Sequence, residues 1–376
     1  TGNEGDGWNY KEKNFKLNGT PTAFVTDDEI LFDNSAAQRD VTISQNMQSK
    51  GLLFDFNTGS YTLSGEGSLG GEAYLTKKGK GELNIGMNEN SFTGPVDLQE
   101  GHIQVKTVAN GGVPSSLGAA PADEGNLKLG NVKLTVLGDN CATDRVMTLT
   151  GDSTEIDVRG SMAITADIKG PNSVFVKSGP GQLNFTYKAP YSYKETVVKE
   201  GVLSQGNYLT YFGGKESKMT LAGGKVKLIE NRNSKSTPSY TYPTEVVEGT
   251  ESGILGSFRS NILGTFTGKG TLVLYSGGDR CAVHSDFSQF EGTLKLQAGN
   301  SLWRETVKDM PLTDVVIDAK ITLANINNRY AWNNNVEKTL GSLASPYADA
   351  KLGAGIWTVG ANNHDAVFNG QLVSAS

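Results

Sequence analysis

Apolar and polar residues alternate in short bursts along this chain, and glycine separates the bursts. Within residues 75–105 (LTKKGKGELNIGMNENSFTGPVDLQEGHIQV), Leu83 and Ile85 follow Gly79-Lys80-Gly81 at alternate positions. After a polar turn and Phe92-Thr93-Gly94, Val96 and Leu98 repeat the alternation, and after Gly101 so do Ile103 and Val105. A period of two puts one face inward and the other toward solvent, as in a half-buried strand. The runs last only a few residues, and the glycines between them permit bends that a side chain would obstruct. No helix longer than a turn or two is expected.

The pattern recurs. A second copy covers 174–205, where Gly179-Pro180-Gly181 leads to Leu183 and Phe185, then Tyr193, Val197 and Leu203. A third covers 264–303, where Gly268-Lys269-Gly270 leads to Leu272 and Leu274. There FEGTLKLQAGNSL (290–302) answers FTGPVDLQEGHIQ (92–104). A partial copy lies near 341–372, in which WTVGANNHDAVFNG (357–370) matches LNIGMNENSFTG (83–94) with two extra residues in the turn. Fixed self-similarity of this kind predicts a solenoid, in which each unit buries its apolar face by stacking on its neighbours.

The shared run K-x-G-x-G-x-L-x-(I/L), the Asn-containing turn, (F/Y)-x-G and the second G-x-(I/L) strand resemble the autotransporter-associated β-strand repeat of bacterial surface proteins. Residues 31–63 and 341–370 are similar to the lead-in such repeats carry. The resemblance implies an all-β, right-handed parallel β-helix at the bacterial cell surface, associated with the outer membrane or secreted, and it carries no catalytic motif. The chain departs from the family in its long, irregular spacers and in having no membrane barrel after the repeats. Residues 1–25 are expected to form an N-terminal cap, because a solenoid end exposes unpaired strand edges. Residues 26–376 are expected to form the β-helix, with some 15–17 coils at about 22 residues each.

Composition narrows the function. With 47 glycines, 11 prolines and no collagen triplet, the glycine is turn chemistry in a folded protein. A scattered net charge of −6 argues against nucleic acid, which needs a basic face. No apolar run approaches the ~20 residues of a membrane helix. Beginning at Thr1 with no initiator Met or signal peptide, the chain reads as a mature or trimmed fragment. Cys141 and Cys281 fall about six coils apart, nearly 30 Å at the ~4.8 Å strand spacing, so free thiols are expected.

Candidate chemistry is sparse. Asp27-Asp28-Glu29 reads as a solvated turn, and His102, His284 and His364 as ordinary surface or turn histidines with no metal-ligand spacing. Asp279 and Arg280, with His284-Ser285-Asp286, fall in a segment by which the third copy is longer than the first. Residues 107–126 and 231–245 are small or polar and are expected to be loops. Tyr187, Tyr191, Tyr193, Tyr208, Tyr211, Tyr240 and Tyr242 enrich the centre of the chain, and exposed tyrosines stack on sugar rings while their hydroxyls hydrogen-bond. The expected ligand contacts are therefore Tyr187, Tyr191, Tyr240, Tyr242, Asp279 and Arg280, with no catalytic residue, metal or cofactor. The expected function is non-catalytic, adhesin-like binding of a polysaccharide or of a host or partner surface glycan or protein. A polysaccharide lyase or hydrolase on the same scaffold, and a structural spacer, are the other functions this sequence fits.

Overall fold

The repeat glycines set the corners of the fold. Gly79, Gly179 and Gly268 have φ of 71°, 74° and 96°, a region that L side chains rarely adopt. A Cβ at Gly79 would lie 2.5 Å from the Phe56 carbonyl oxygen, and one at Gly268 2.2 Å from that of Val246. Each corner turns the chain from one short strand into the next, and each strand stacks on the strand one coil away. The structure, a computed structural model, describes residues 5–373 except 187–190, 207–210, 215–216, 230–238, 257–259, 277–280, 298–300, 305–307, 319–321, 324, 329–330, 333–336 and 354. Among the described residues there is no helix. The strands stack in parallel as a β-solenoid of about 13 turns, in two compact units divided near residue 190. That is fewer than the 15–17 coils expected, because several coils carry excursions: Val96 pairs with Leu127 across 107–126, whereas Ile30 pairs with Leu52.

In the first unit, a first row of strands runs from Glu29–Asp33 through Gly51–Asp55 and Tyr74–Lys78 into Val96–Val105 and Leu127–Val136. The last two bend at mid-length and also supply a second row, with Asp40–Ile43, Ser60–Ser64, Glu82–Ile85 and Ser153–Val158. A third row stacks Cys141–Thr143, Ser161–Ile164 and Gln182–Phe185. Inward positions form ladders: Leu52, Leu75, Val96 and Leu127 are all buried, and the Phe32 and Phe54 rings stack at 4.4 Å. Gly7–Trp8 adds a rung to Asp40–Ile43, and the buried Trp8 ring meets Phe15, Phe24 and Phe32.

The lysine of the repeat motif is internal. Lys77 is fully buried and its ammonium donates to the carbonyls of Lys78 (2.7 Å), Gly79 (2.6 Å) and Glu100 (3.3 Å). Lys177 repeats the arrangement on the Ser178 and Gly179 carbonyls, at 2.6 and 2.8 Å. In the third copy the equivalent residue is the buried Phe266. A charge thus satisfies corner carbonyls that would otherwise be buried without a donor. The excursion 107–126 is held in the same manner: buried Arg145 donates to the Leu117 (3.0 Å) and Gly118 (2.6 Å) carbonyls, and buried Asn90 donates to that of Ser116.

Among the described residues of the second unit, three rows of four or more strands stack in the same way. One stacks Lys218–Leu221, Thr244–Val246, Thr265–Gly268 and Asp286–Phe290. Another runs from Lys225–Lys227 through Glu251–Gly256, Thr271–Ser276, Thr293–Gln297, Met310–Ile317 and Glu337–Ala344 to Ile356–Val359. The third stacks Ser239–Tyr240, Asn261–Ile262, Cys281–Val283 and Ser301–Arg304. Tyr240, Phe266 and Phe287 form an internal aromatic stack, with centroids 6.1 and 4.8 Å apart.

Candidate functional site

The structure corrects the tyrosine platform. Tyr191, Tyr240 and Tyr242 are at most 1% exposed. Tyr191 packs on Phe185 and Tyr193, and Tyr240 on Phe266 and Tyr242. The Tyr240 hydroxyl pairs with the Thr244 hydroxyl at 2.7 Å, and the Tyr242 hydroxyl accepts from the Phe212 amide at 2.7 Å. Burial pushes both phenols up, so they serve as neutral core groups. These rings are interior because alternation with polar neighbours turns them inward. Tyr187, Asp279 and Arg280 lie outside the described residues.

The acidic cluster is a turn. Asp27 has φ of 67°, and the Asp28 carboxylate accepts the Val25 amide at 2.9 Å. In the longer segment of the third copy, burial raises the Asp286 carboxyl, but bonds from Lys308 and Ser288 outweigh it and bring it down to about 2. Cys141 is a buried free thiol. No group of three or more His, Cys, Asp or Glu could hold a metal ion among the described residues.

Coil stacking does assemble two polar clusters. On the second row of the first unit, His102 joins the Glu82 carboxylate (3.0 Å) to the Thr135 hydroxyl (2.9 Å). One coil further, buried Asp157 is gripped by Lys133 at 2.9 Å and Arg159 at 2.9 Å. The first trio has the connectivity of a nucleophilic triad, but the Thr135 hydroxyl is buried where a substrate carbonyl has no approach. Charged groups of both clusters are shifted by their partners. The bond to Asp157 holds the Lys133 amine protonated above its usual range. Burial raises Glu82, yet bonds from Asn84 and His102 leave its carboxyl below the usual range. The bonds tie successive coils together, which suits the network to rigidity. In the second unit, Asp314 accepts from Ser342 (2.7 Å), Asn362 (2.7 Å) and His364 (3.0 Å), which pins the turn of the partial copy to the sheet.

A groove follows the first row of the first unit. It is shallow, about 410 Å³, and lined by Asp97, Gln99, Lys128, Asn131 and Thr150. Gly130 and Gly151 also line it. A Cβ there would lie 2.2 Å from the Gln99 carbonyl oxygen or 2.5 Å from the Asn131 amide nitrogen, so the groove depends on their lacking side chains. Gln99 donates to Asp97 at 2.8 Å, and the Asn131 side-chain oxygen accepts the Asp152 and Ser153 amides. A carboxylate, two amides, an ammonium and a hydroxyl together offer donors and acceptors to a ligand rich in hydroxyls. No signal in the sequence marks this site: its residues come from three coils, and only the register Asp97–Lys128–Thr148 brings them side by side.

No family model matches the chain, and no solved structure matches it significantly. In an alignment of 269 positions that covers 66% of its length, the chain is 27% identical to the adhesin BmaC autotransporter of Brucella suis biovar 1 (strain 1330). It spans 8% of that protein's length. Fold and similarity agree with the passenger-type β-helix of bacterial autotransporters that the repeat copies resemble.

Proposed function

We propose that this chain is an adhesin-like stretch of a bacterial surface β-helix, exposed outside the outer membrane, and that it binds a glycan of a host or partner surface along the Asp97–Asn131 groove. The observation that carries the reading is the similarity to an autotransporter adhesin in a chain whose stacked coils build a groove of mixed donors and acceptors. The burial of the Thr135 hydroxyl beside His102 favours binding over turnover at that cluster.

The test is affinity electrophoresis of the whole chain through host, plant and microbial polysaccharides, each also assayed for new reducing ends and unsaturated uronates. Retardation without products is expected, and Asn131→Ala with Lys128→Ala should weaken it about tenfold, the equivalent of one or two lost hydrogen bonds. Products would replace the reading with an enzyme. Absence of retardation on every polymer would remove the glycan and leave a protein partner or a spacer.

A further inference from the structure

We propose that Tyr74, one coil before the groove, is the sugar-stacking subsite of this face; this rests on the glycan reading above. Tyr74 points outward from Tyr74–Lys78 and is half-buried, unlike the core tyrosines. Its ring lies across Gly51 of the preceding coil, where a Cβ would come within 2.4 Å of two ring atoms. Burial, together with the Glu29 carboxylate one coil further back, pushes the phenol up. The ring is therefore held by its own strand and lies with its inner side against the glycine, which leaves no room for it to shift toward the preceding coil. A ring fixed in this way loses little freedom when a ligand stacks on its outer side.

The surroundings fit one sugar ring. Leu31 is 56% exposed and pairs in register with Leu53, on the column beside Glu29, Gly51 and Tyr74. Pro95 is exposed in the next coil, where its carbonyl accepts the Leu75 amide. Lys50 and Glu29 pair at 3.8 Å on the rim. Four apolar side chains fall far short of the ~800 Å² per partner of a stable protein interface, but match the hydrophobic face of a sugar with polar groups around it. The platform also leads into the groove, since Thr76 shares the outer side with Tyr74 and pairs with Asp97, which pairs with Lys128. A glycan laid across the coils would stack on Tyr74 and present its next hydroxyls to Asp97, Lys128 and Asn131.

The experiment compares the whole wild-type chain with Tyr74→Ala and Tyr74→Phe. It uses isothermal titration with cellohexaose, chitohexaose, dextran and hyaluronan, and far-ultraviolet circular dichroism to verify folding. At least one of these should bind wild type, Tyr74→Ala should weaken it about tenfold, and Tyr74→Phe should stay within about threefold because the ring remains. Equal binding by wild type and a folded Tyr74→Ala overturns the subsite while leaving the groove reading intact. Asn131→Ala weakening the same ligand in that case would confirm that the two fail separately. If wild type binds none of the four, the subsite falls together with the glycan reading.

Discussion

At the scale of single residues, the repeat motif encodes corners more than strands. Its glycine supplies a positive φ, and its lysine fills the inside of the bend with a cation on backbone carbonyls. Burial pushes the Lys77 amine down to about 8, against the pull of Glu100 and Asp55. A base with a folded pKa below its unfolded value of about 10.4 leaves the unfolded chain binding more protons between those limits. Its contribution to stability should therefore rise as pH climbs from about 8 to about 10.4, by on the order of 2–3 kcal/mol, and be absent below 8. Urea denaturation of wild type and Lys77→Met across pH 7–10.5 isolates this contribution as the difference between the two curves. Wild type should gain on the variant with rising pH, and parallel curves would show that the buried ammonium keeps an ordinary affinity for its proton. The alternation of the sequence also held the fate of the tyrosines. Tyr191-Ser192-Tyr193-Lys194 places both rings on one face and the polar groups on the other, and in a solenoid the apolar face is the inner one. Aromatic abundance pointed outward, whereas periodicity pointed inward, and packing followed periodicity.

At the scale of elements, strands and corners were legible because they depend on neighbours in sequence, and clusters were not because they depend on register between coils. Glu82, His102 and Thr135 meet through strand pairing, and the excursion 107–126 lies between His102 and Thr135 in sequence. The partial copy shows the same effect. The longer turn visible in 357–370 is what carries Asn362 and His364 back onto Asp314. Burial raises the Asp314 carboxyl, but its bonds to Ser342, Asn362 and His364 outweigh this and leave it below its usual range. A carboxylate lowered in the folded state contributes stability above its unfolded pKa of about 3.9, and the contribution is lost as pH falls through the folded value. Hydrogen exchange, expressed as protection factors, should then show the turn at 360–365 and the strand Ile356–Val359 loosening between pH 5 and 2, by on the order of 1 kcal/mol. In Asp314→Asn that acid dependence should vanish. An unchanged profile in the variant would mean that a titratable group other than Asp314 carries the acid dependence of the turn.

At the scale of the whole molecule, the self-similarity of the copies carried the fold, and the lengths of the intervals did not. The coils are fewer than length alone implies because residues are spent on excursions such as 107–126, whose anchoring depends on Arg145 and Asn90, outside the repeat run. What the repeats do imply is a one-dimensional cohesion, each coil buried by the one before and the one after. Gly79→Ala tests it. The substitution forces a Cβ onto the Phe56 carbonyl oxygen in a positive-φ corner, a local cost of about 1–3 kcal/mol. In a nearest-neighbour solenoid, native-state exchange should quicken in Gly51–Asp55 and Val96–Val105, which pair directly with the damaged coil, and in Tyr74–Lys78 itself. Gln182–Phe185, several coils along the same unit, should keep its protection, since no strand pairing connects it to residue 79 except through every coil between. Uniform loss of protection across the unit would instead show one all-or-none domain. The aromatic stacks and charge ladders that run from coil to coil would then bind the coils more tightly than the repeat architecture requires.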